Sequence, residues 1–309
     1  MNKPIVLTLE ELKNYGLGKA AIWARSYLWD KLDKHFSLPL ISDSDTPPVN
    51  LDTLIVIGGG ILLDKAKVWR MEKSPTTKLI AVPSVWGSGS ENSPVAILND
   101  GTKKIIYKDD SFLPDFRVVW PELAKGIDER KLKYACGDVW AHSLEGFFSP
   151  IAGQIVRNEF SIIIKKLVDM TFSYDPLWFE LSSNACGALA SSSAGLVHGI
   201  AHILEGKLNH KFPGEYFGHA RLCSTYIWPV YRFNQSRSDV VATLFKQYGV
   251  EPGPVEEKIK QLYEDDFYDL ILPVLKESWT EILREPSSRT NCVLVRAQAL
   301  DYFYNKEFK

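Results

Sequence analysis

Several features that would fix the class of this 309-residue chain are missing. No run approaches the roughly 20 apolar residues that a membrane-spanning helix requires. The opening MNKPIVLTLEELKNYG has neither an apolar stretch nor a small-residue cleavage site, so no signal peptide is expected. Charge of one sign is not in excess. The 36 Lys+Arg and 38 Asp+Glu leave a formal net charge of -2, which gives no bulk attraction to nucleic acid or an anionic membrane. The four cysteines, Cys136, Cys186, Cys223 and Cys292, include no C-x-x-C pair. That spacing suits buried thiols in a reducing compartment, and a cytoplasmic location is expected. The dinucleotide spacing G-x-G-x-x-G is also absent, as are internal repeats and low-complexity tracts. Histidine is scarce: there are six.

What is present is ordinary for a globular protein, with 45% hydrophobic and 24% charged residues and length enough for two domains. The 9 Trp, 13 Tyr and 15 Phe are generous, and most belong in a core, with some left to line an apolar substrate pocket.

Short apolar runs predict strands over 19–24, Leu54–Ile57, Leu79–Val82 and Phe116–Val119, with helices over 27–35 and 62–71 between them. Val95–Leu98 and Lys104–Tyr107 flank Asn99-Asp100-Gly101 and read as a hairpin, since Asp-Gly tolerates the positive φ of such turns. Alternation of this kind implies an α/β layer with a mostly parallel sheet. From Ile127 onward the period lengthens to 3.6, predicting helices over 155–172, 183–208, 240–247 and 255–272. A domain boundary is placed near Gly126, giving an α/β dinucleotide-binding domain over 1–126 and an all-α domain over 127–309.

Gly58-Gly59-Gly60 lies between a strand and a helix, where a pyrophosphate could approach the backbone and the helix N-terminus. A second small-residue loop, Gly87-Ser88-Gly89-Ser90, also follows a strand. Two such loops at the same ends of neighbouring parallel strands favour a nucleotide cleft. Asp138 and His142 stand at i and i+4 in GDVWAHSLEGF, close enough on one helical face to share a metal. His198 and His202 repeat that spacing in LVHGIAH. Two such pairs in a histidine-poor chain point to a metal site, and their nitrogen and oxygen donors suit Zn²⁺ or Fe²⁺.

Read together, these segments resemble the iron-containing (group III) alcohol dehydrogenases of the dehydroquinate synthase-like superfamily. GGGILLDKAK (58–67) is similar to the family's GGGS-x-x-D-x-AK, and PSVWGSGSENSP (83–94) to P-T-T-x-G-T-G-S-E-x-T-x. LPDFRVVWPEL (113–123) follows L-x-P-D-x-x-x-x-D-P-x-L, GDVWAHSLE (137–145) resembles GMDALTHAIE, and AGLVHGIAH (194–202) matches G-x-x-HGxAH. The resemblance implies a shortened Rossmann-like domain and a helical metal domain, with metal and nicotinamide meeting between them. It also implies metal ligation by Asp138, His142 and His198, with His219 preferred over His210 as the fourth ligand. Cofactor contacts are carried to Gly58, Gly59, Gly60, Asp64, Lys67, Ser84, Ser88, Gly89 and Ser90. His202 would line the pocket or relay a proton, or else hold a neighbour by hydrogen bonding. Departures are Ile61 for the usual Ser, Trp120 for Asp, Trp86 within the second loop, and a short region before Leu51.

Arg25-Ser26 after the first strand favours NADP(H) over NAD(H), because an Arg there meets a 2′-phosphate. The expected chemistry is metal-assisted hydride transfer between nicotinamide and a small aldehyde or ketone, in a biosynthetic reductase whose partner is that small molecule, with a homodimer left open. Two rivals are a carbocycle-forming synthase that uses NAD transiently and a non-catalytic relic that keeps its metal for folding.

Overall fold

Runs such as AAIWA and TLIVIG, rich in β-branched and aromatic side chains, cannot expose both faces to water and are buried along their whole length as strands. The computed structural model describes residues 3–99, 104–212 and 217–309. In its first part β1 (Ile5–Leu7), α1 (Leu9–Lys13), β2 (Ala20–Ala24), α2 (Trp29–Leu32) and β3 (Leu40–Ser42) precede β4 (Thr53–Gly58), α3 (Gly60–Lys73) and β5 (Lys78–Pro83). The strands β6 (Val95–Asn99), β7 (Lys104–Lys108) and β8 (Phe116–Val118) follow.

Six strands form one sheet in the order β1-β8-β5-β4-β2-β3, and every neighbouring pair is parallel. Alternation sends Ile55, Ile57, Ile80 and Val82 to one face, against Leu12 of α1 and Leu28 and Leu32 near α2. Leu54, Val56, Leu79 and Ala81 go to the other face, against Leu62, Leu63, Ala66 and Trp69 of α3. The chain leaves β2 toward β3 on one side and leaves β4 toward β5 on the other. The carboxyl ends of β2 and β4 therefore flank a topological switch point, the usual ligand position of such sheets. The hairpin is present as the antiparallel pair β6–β7, with Ile97 opposite Ile106. Its turn at Asp100-Gly101 lies outside the described residues.

One expected helix is shortened, and two departures noted in the sequence take definite form. The helix anticipated over 27–35 shrinks to a 3₁₀ turn and the four-residue α2. The short region before Leu51 holds three strands and two helices of five and four residues, so it is compressed. Trp120, where the family pattern has Asp, is buried and meets His35 and Phe36 edge-on, so that site has become core.

The second part is helical: α4 (Glu129–Phe148), α5 (Gln154–Asp169), α6 (Leu177–Leu189), α7 (Leu196–Lys211), α8 (His219–Arg237) and α9 (Val240–Tyr248). After these come α10 (Pro252–Leu262), α11 (Asp265–Arg284), α12 (Pro286–Arg289) and α13 (Ala299–Tyr304). Two helices read as continuous are broken. The 183–208 segment divides between α6 and α7 where Ser191-Ser192-Ser193 and Gly195 offer poor helix formers. The 255–272 segment divides at Tyr263 and Glu264, both extended, although the apolar period runs on across the break. The chain forms two compact units, one of the described residues up to Gly126 with Pro176–Ser183, the other of Ile127–Asp175 and the described part of Asn184–Lys309.

Candidate functional site

The second unit carries the histidine cluster. Asp128 caps α4, accepting from the backbone of Arg130 and Lys131, and nearly the whole helix beyond its second turn is buried. Asp138, His142 and Glu145 occupy i, i+4 and i+7 of that helix, one continuous face. His198 and His202 stand on α7, and His219 opens α8 with Cys223 one turn later. Glycine sets how closely these helices approach. A Cβ at Gly137 would lie 2.6 Å from the Cα of Ser224, so α4 and α8 touch backbone to backbone beside Asp138 and Cys223. A Cβ at Gly199 would lie 2.0 Å from Ser288 Oγ, so the missing side chain lets α7 receive the Ser288 hydroxyl of α12 beside His198.

The side chains converge on Asp138. Its Oδ1 lies 3.7 Å from His198 Nε2, 3.9 Å from His142 Nε2 and 3.9 Å from His219 Nε2. Cys223 Sγ is 3.5 Å from His219 Nε2. Asp138, His198, His219 and Cys223 each offer one atom to a set lying within 4.8 Å of one another. His142 stacks on His198 with ring centroids 4.6 Å apart. His210 is exposed on the last turn of α7 and has no place in the set.

The surrounding carboxylates orient the imidazoles. Glu145 Oε2 is 2.5 Å from His198 Nδ1, while its Oε1 accepts from the Val197 backbone N–H. Glu285 Oε1 is 2.9 Å from His202 Nδ1, and its other oxygen accepts from the Ser287 backbone. Burial pushes the His198 imidazole pKa down, but the charge and hydrogen bond of Glu145, with Asp138 and Glu285 adding, leave it raised. Burial pushes the Glu285 carboxyl up, and His202 together with the Ser287 and Ser288 backbone more than reverses this, leaving it lowered. Sequence reasoning overlooked Glu145, Glu285 and Cys223. The signal for Glu145 was there, three residues after His142 on the same face, whereas Glu285 comes from a distant helix cap.

These residues fit a metal. Asp138 Oδ1 and His198 Nε2 are buried without a hydrogen-bond partner, although each is a strong polar atom whose isolation costs a few kcal/mol (~1–3). A divalent cation shared between them would satisfy both. Two imidazoles, a carboxylate and a thiol form a donor set typical of zinc or iron.

The first unit carries the cofactor candidates, and the loops after β2, β4 and β5 come from three neighbouring parallel strands. A Cβ at Gly59 would meet nothing within 4 Å, so the turn is open to a group approaching the N-terminus of α3. A Cβ at Gly60 would lie 2.6 Å from Ser88 Oγ, so the two glycine loops abut. Gly87 and Gly89 have φ of 118° and 58°, a region open chiefly to glycine. Asp64 accepts from Ser90 Oγ at 2.5 Å, Lys67 Nζ at 3.2 Å and the Ile97 backbone at 3.0 Å. Lys67 is fully buried and also donates to the Val95 carbonyl. These three residues pin the loop to α3 and β6. Ser84 is buried and its backbone N–H donates to the Gly58 carbonyl. Segment Pro176–Ser183 braces the second loop: Trp86 stacks on Trp178, and Gly87 N–H donates to Ser182 Oγ at 2.9 Å. Arg25 is about half exposed and lies 3.4 Å from Asp43.

Residues 48–121 match the family described as iron-containing alcohol dehydrogenase. Over these residues the chain resembles that family. The iron-containing alcohol dehydrogenase of Thermococcus thioreducens superposes with a TM-score of 0.77 at 18% identity, covering 100% of this chain and 99% of that one. The sulfoacetaldehyde reductase of Bifidobacterium kashiwanohense, solved with NAD+, gives a TM-score of 0.78 at 18% identity over 99% of this chain and 97% of that one. At such identity the likeness is one of fold. Among curated sequences, the 1-propanol dehydrogenase of Salmonella typhimurium is 28% identical over 175 residues, 50% of this chain and 46% of that protein. The bifunctional aldehyde-alcohol dehydrogenase of Escherichia coli is 24% identical over 232 residues, 64% of this chain and 26% of that protein. The chain thus spans under half the length of these curated dehydrogenase relatives. No described helix is long and apolar enough to cross a membrane.

Proposed function

We propose that the chain is a metal-dependent NAD(P)H oxidoreductase that interconverts a small aldehyde or ketone and its alcohol, working as an aldehyde reductase. The observation that carries this reading is the buried pair Asp138 Oδ1 and His198 Nε2, without hydrogen bonds and 3.7 Å apart, in a relative of the iron-containing alcohol dehydrogenases. Asp138, His198 and His219 would hold the metal, with His142 the further donor that the family pattern assigns. When bound, the metal supplies Lewis-acid stabilisation of negative charge on the substrate oxygen and the nicotinamide supplies the hydride.

The chain's own residues do the rest. Glu145 fixes the His198 ring so that Nε2 faces Asp138. Glu285 holds His202 at Nδ1, which leaves Nε2 as the atom to carry or release a proton. Gly58, Gly59, Gly60 and the N-terminus of α3 receive the pyrophosphate, while Asp64, Lys67, Ser84, Ser88, Gly89 and Ser90 hold the loops in shape for it. Arg25, with its charge partly exposed beside Asp43, favours the 2′-phosphate of NADPH. None of the four cysteines is in a disulfide, which suits a reducing compartment such as the cytoplasm.

Metal analysis of the purified protein, combined with NADPH and NADH oxidation against a panel of aldehydes, tests this. Asp138→Ala and His198→Ala should lose the metal and at least about 100-fold in rate, a few kcal/mol of charge stabilisation, with circular dichroism unchanged. Full activity in either folded variant sinks the reading.

A further inference from the structure

We propose that Cys223 Sγ is a donor to the metal at this site and that its sulfur selects zinc over iron. The inference rests on the metal reading above and deepens it. Cys223 is fully buried on α8, one turn beyond His219, in the helix that Gly137 admits to backbone contact with α4. Its sulfur belongs to the four-atom set with Asp138, His198 and His219, whereas His142 does not.

Near-tetrahedral angles between donors account for the spacing, in a shell that expands to five when the substrate oxygen binds. With bonds of about 2.1 Å to nitrogen or oxygen and about 2.3 Å to sulfur, neighbouring donors lie about 3.4 Å apart, or about 3.6 Å when one is sulfur. Cys223 Sγ stands 3.5 Å from His219 Nε2, and Asp138 Oδ1 stands 3.7 Å and 3.9 Å from the nitrogens of His198 and His219. The thiol is not alone there, because Asp138 Oδ1 and His198 Nε2 are buried in the same cluster without hydrogen bonds. The same 3.5 Å would suit a hydrogen bond from the thiol to His219, and sulfur in the metal's shell separates the two arrangements. Thiolate is a soft donor and favours Zn²⁺ over Fe²⁺ relative to an all-nitrogen-and-oxygen shell.

X-ray absorption of the zinc-loaded protein tests the assignment without reference to turnover. One sulfur scatterer at about 2.3 Å is expected, beside nitrogen and oxygen at about 2.0–2.2 Å. Cobalt substitution should give a sulfur-to-cobalt charge-transfer band in the near ultraviolet, lost in Cys223→Ser and kept in Cys292→Ser. A wild-type shell of nitrogen and oxygen alone overturns the proposal, whether or not Cys223→Ser folds. Sulfur that persists in Cys223→Ser overturns it too, since another thiol would then be the source. In both cases bound metal and reductase activity would still stand, whereas protein that takes up no metal defeats the functional reading itself.

Discussion

At the residue scale, the chemistry of the cluster depends on the carboxylates behind the imidazoles. Glu145 holds His198 through Nδ1 and increases its basicity as a donor. Glu145→Gln keeps the shape and removes the charge, so metal affinity should fall by roughly 10–100-fold, read by titration against a competing chelator. Unchanged affinity would show that Glu145 only packs. Glu285 has a pH signature. Its folded pKa lies below its unfolded value, so its contribution is complete above the ordinary glutamate range and is lost as pH falls through the lowered value. The melting temperature of Glu285→Gln should therefore fall less steeply than that of the wild type below about pH 4.5. Parallel acid limbs would count against this.

At the element scale, the cluster depends on α4 coming closer to α8, and α7 closer to α12, than ordinary side chains allow. Gly137 faces the backbone of Ser224, so Gly137→Ala must push the helices apart. Overpacking costs about 1–3 kcal/mol, more than the gain of up to about 1 kcal/mol in helix propensity. The variant should melt lower and bind less metal, since Asp138 and Cys223 adjoin the contact; normal metal content at a normal melting temperature would disprove the spacing argument. The sheet obeys a similar constraint. Gly60 against Ser88 brings two loops from different strands into contact, which no single-strand pattern could reveal.

At the whole-molecule scale, the two units differ in what a ligand would stabilise. A metal bound by α4, α7 and α8 ties three helices of the second unit and should raise its melting temperature, by about 4 kcal/mol of stabilisation when free metal is 1,000-fold above its Kd. Chelation followed by calorimetry should lower the transition while far-ultraviolet circular dichroism persists at low temperature, because the helices also bury a large apolar core. Superposable calorimetric traces with and without metal would refute this.

Local periodicity was enough to determine most of the strands, the α3 helix, the two glycine loops and the face of α4 bearing Asp138 and His142. Each depends on spacings of two to four residues that the chain cannot evade. The periodicity failed at Leu189–Leu196 and Leu262–Asp265, where an apolar stripe crosses a break because the helices on either side each bury an apolar face. Which atoms meet Asp138 was settled only by tertiary packing. His219 rather than His210, Cys223 from the next turn, Glu285 from a helix cap and the Trp86 brace from Pro176–Ser183 all come from distant segments. For Asp138 and Cys223 the meeting is a matter of the distance between α4 and α8, which Gly137 against Ser224 sets in the folded chain.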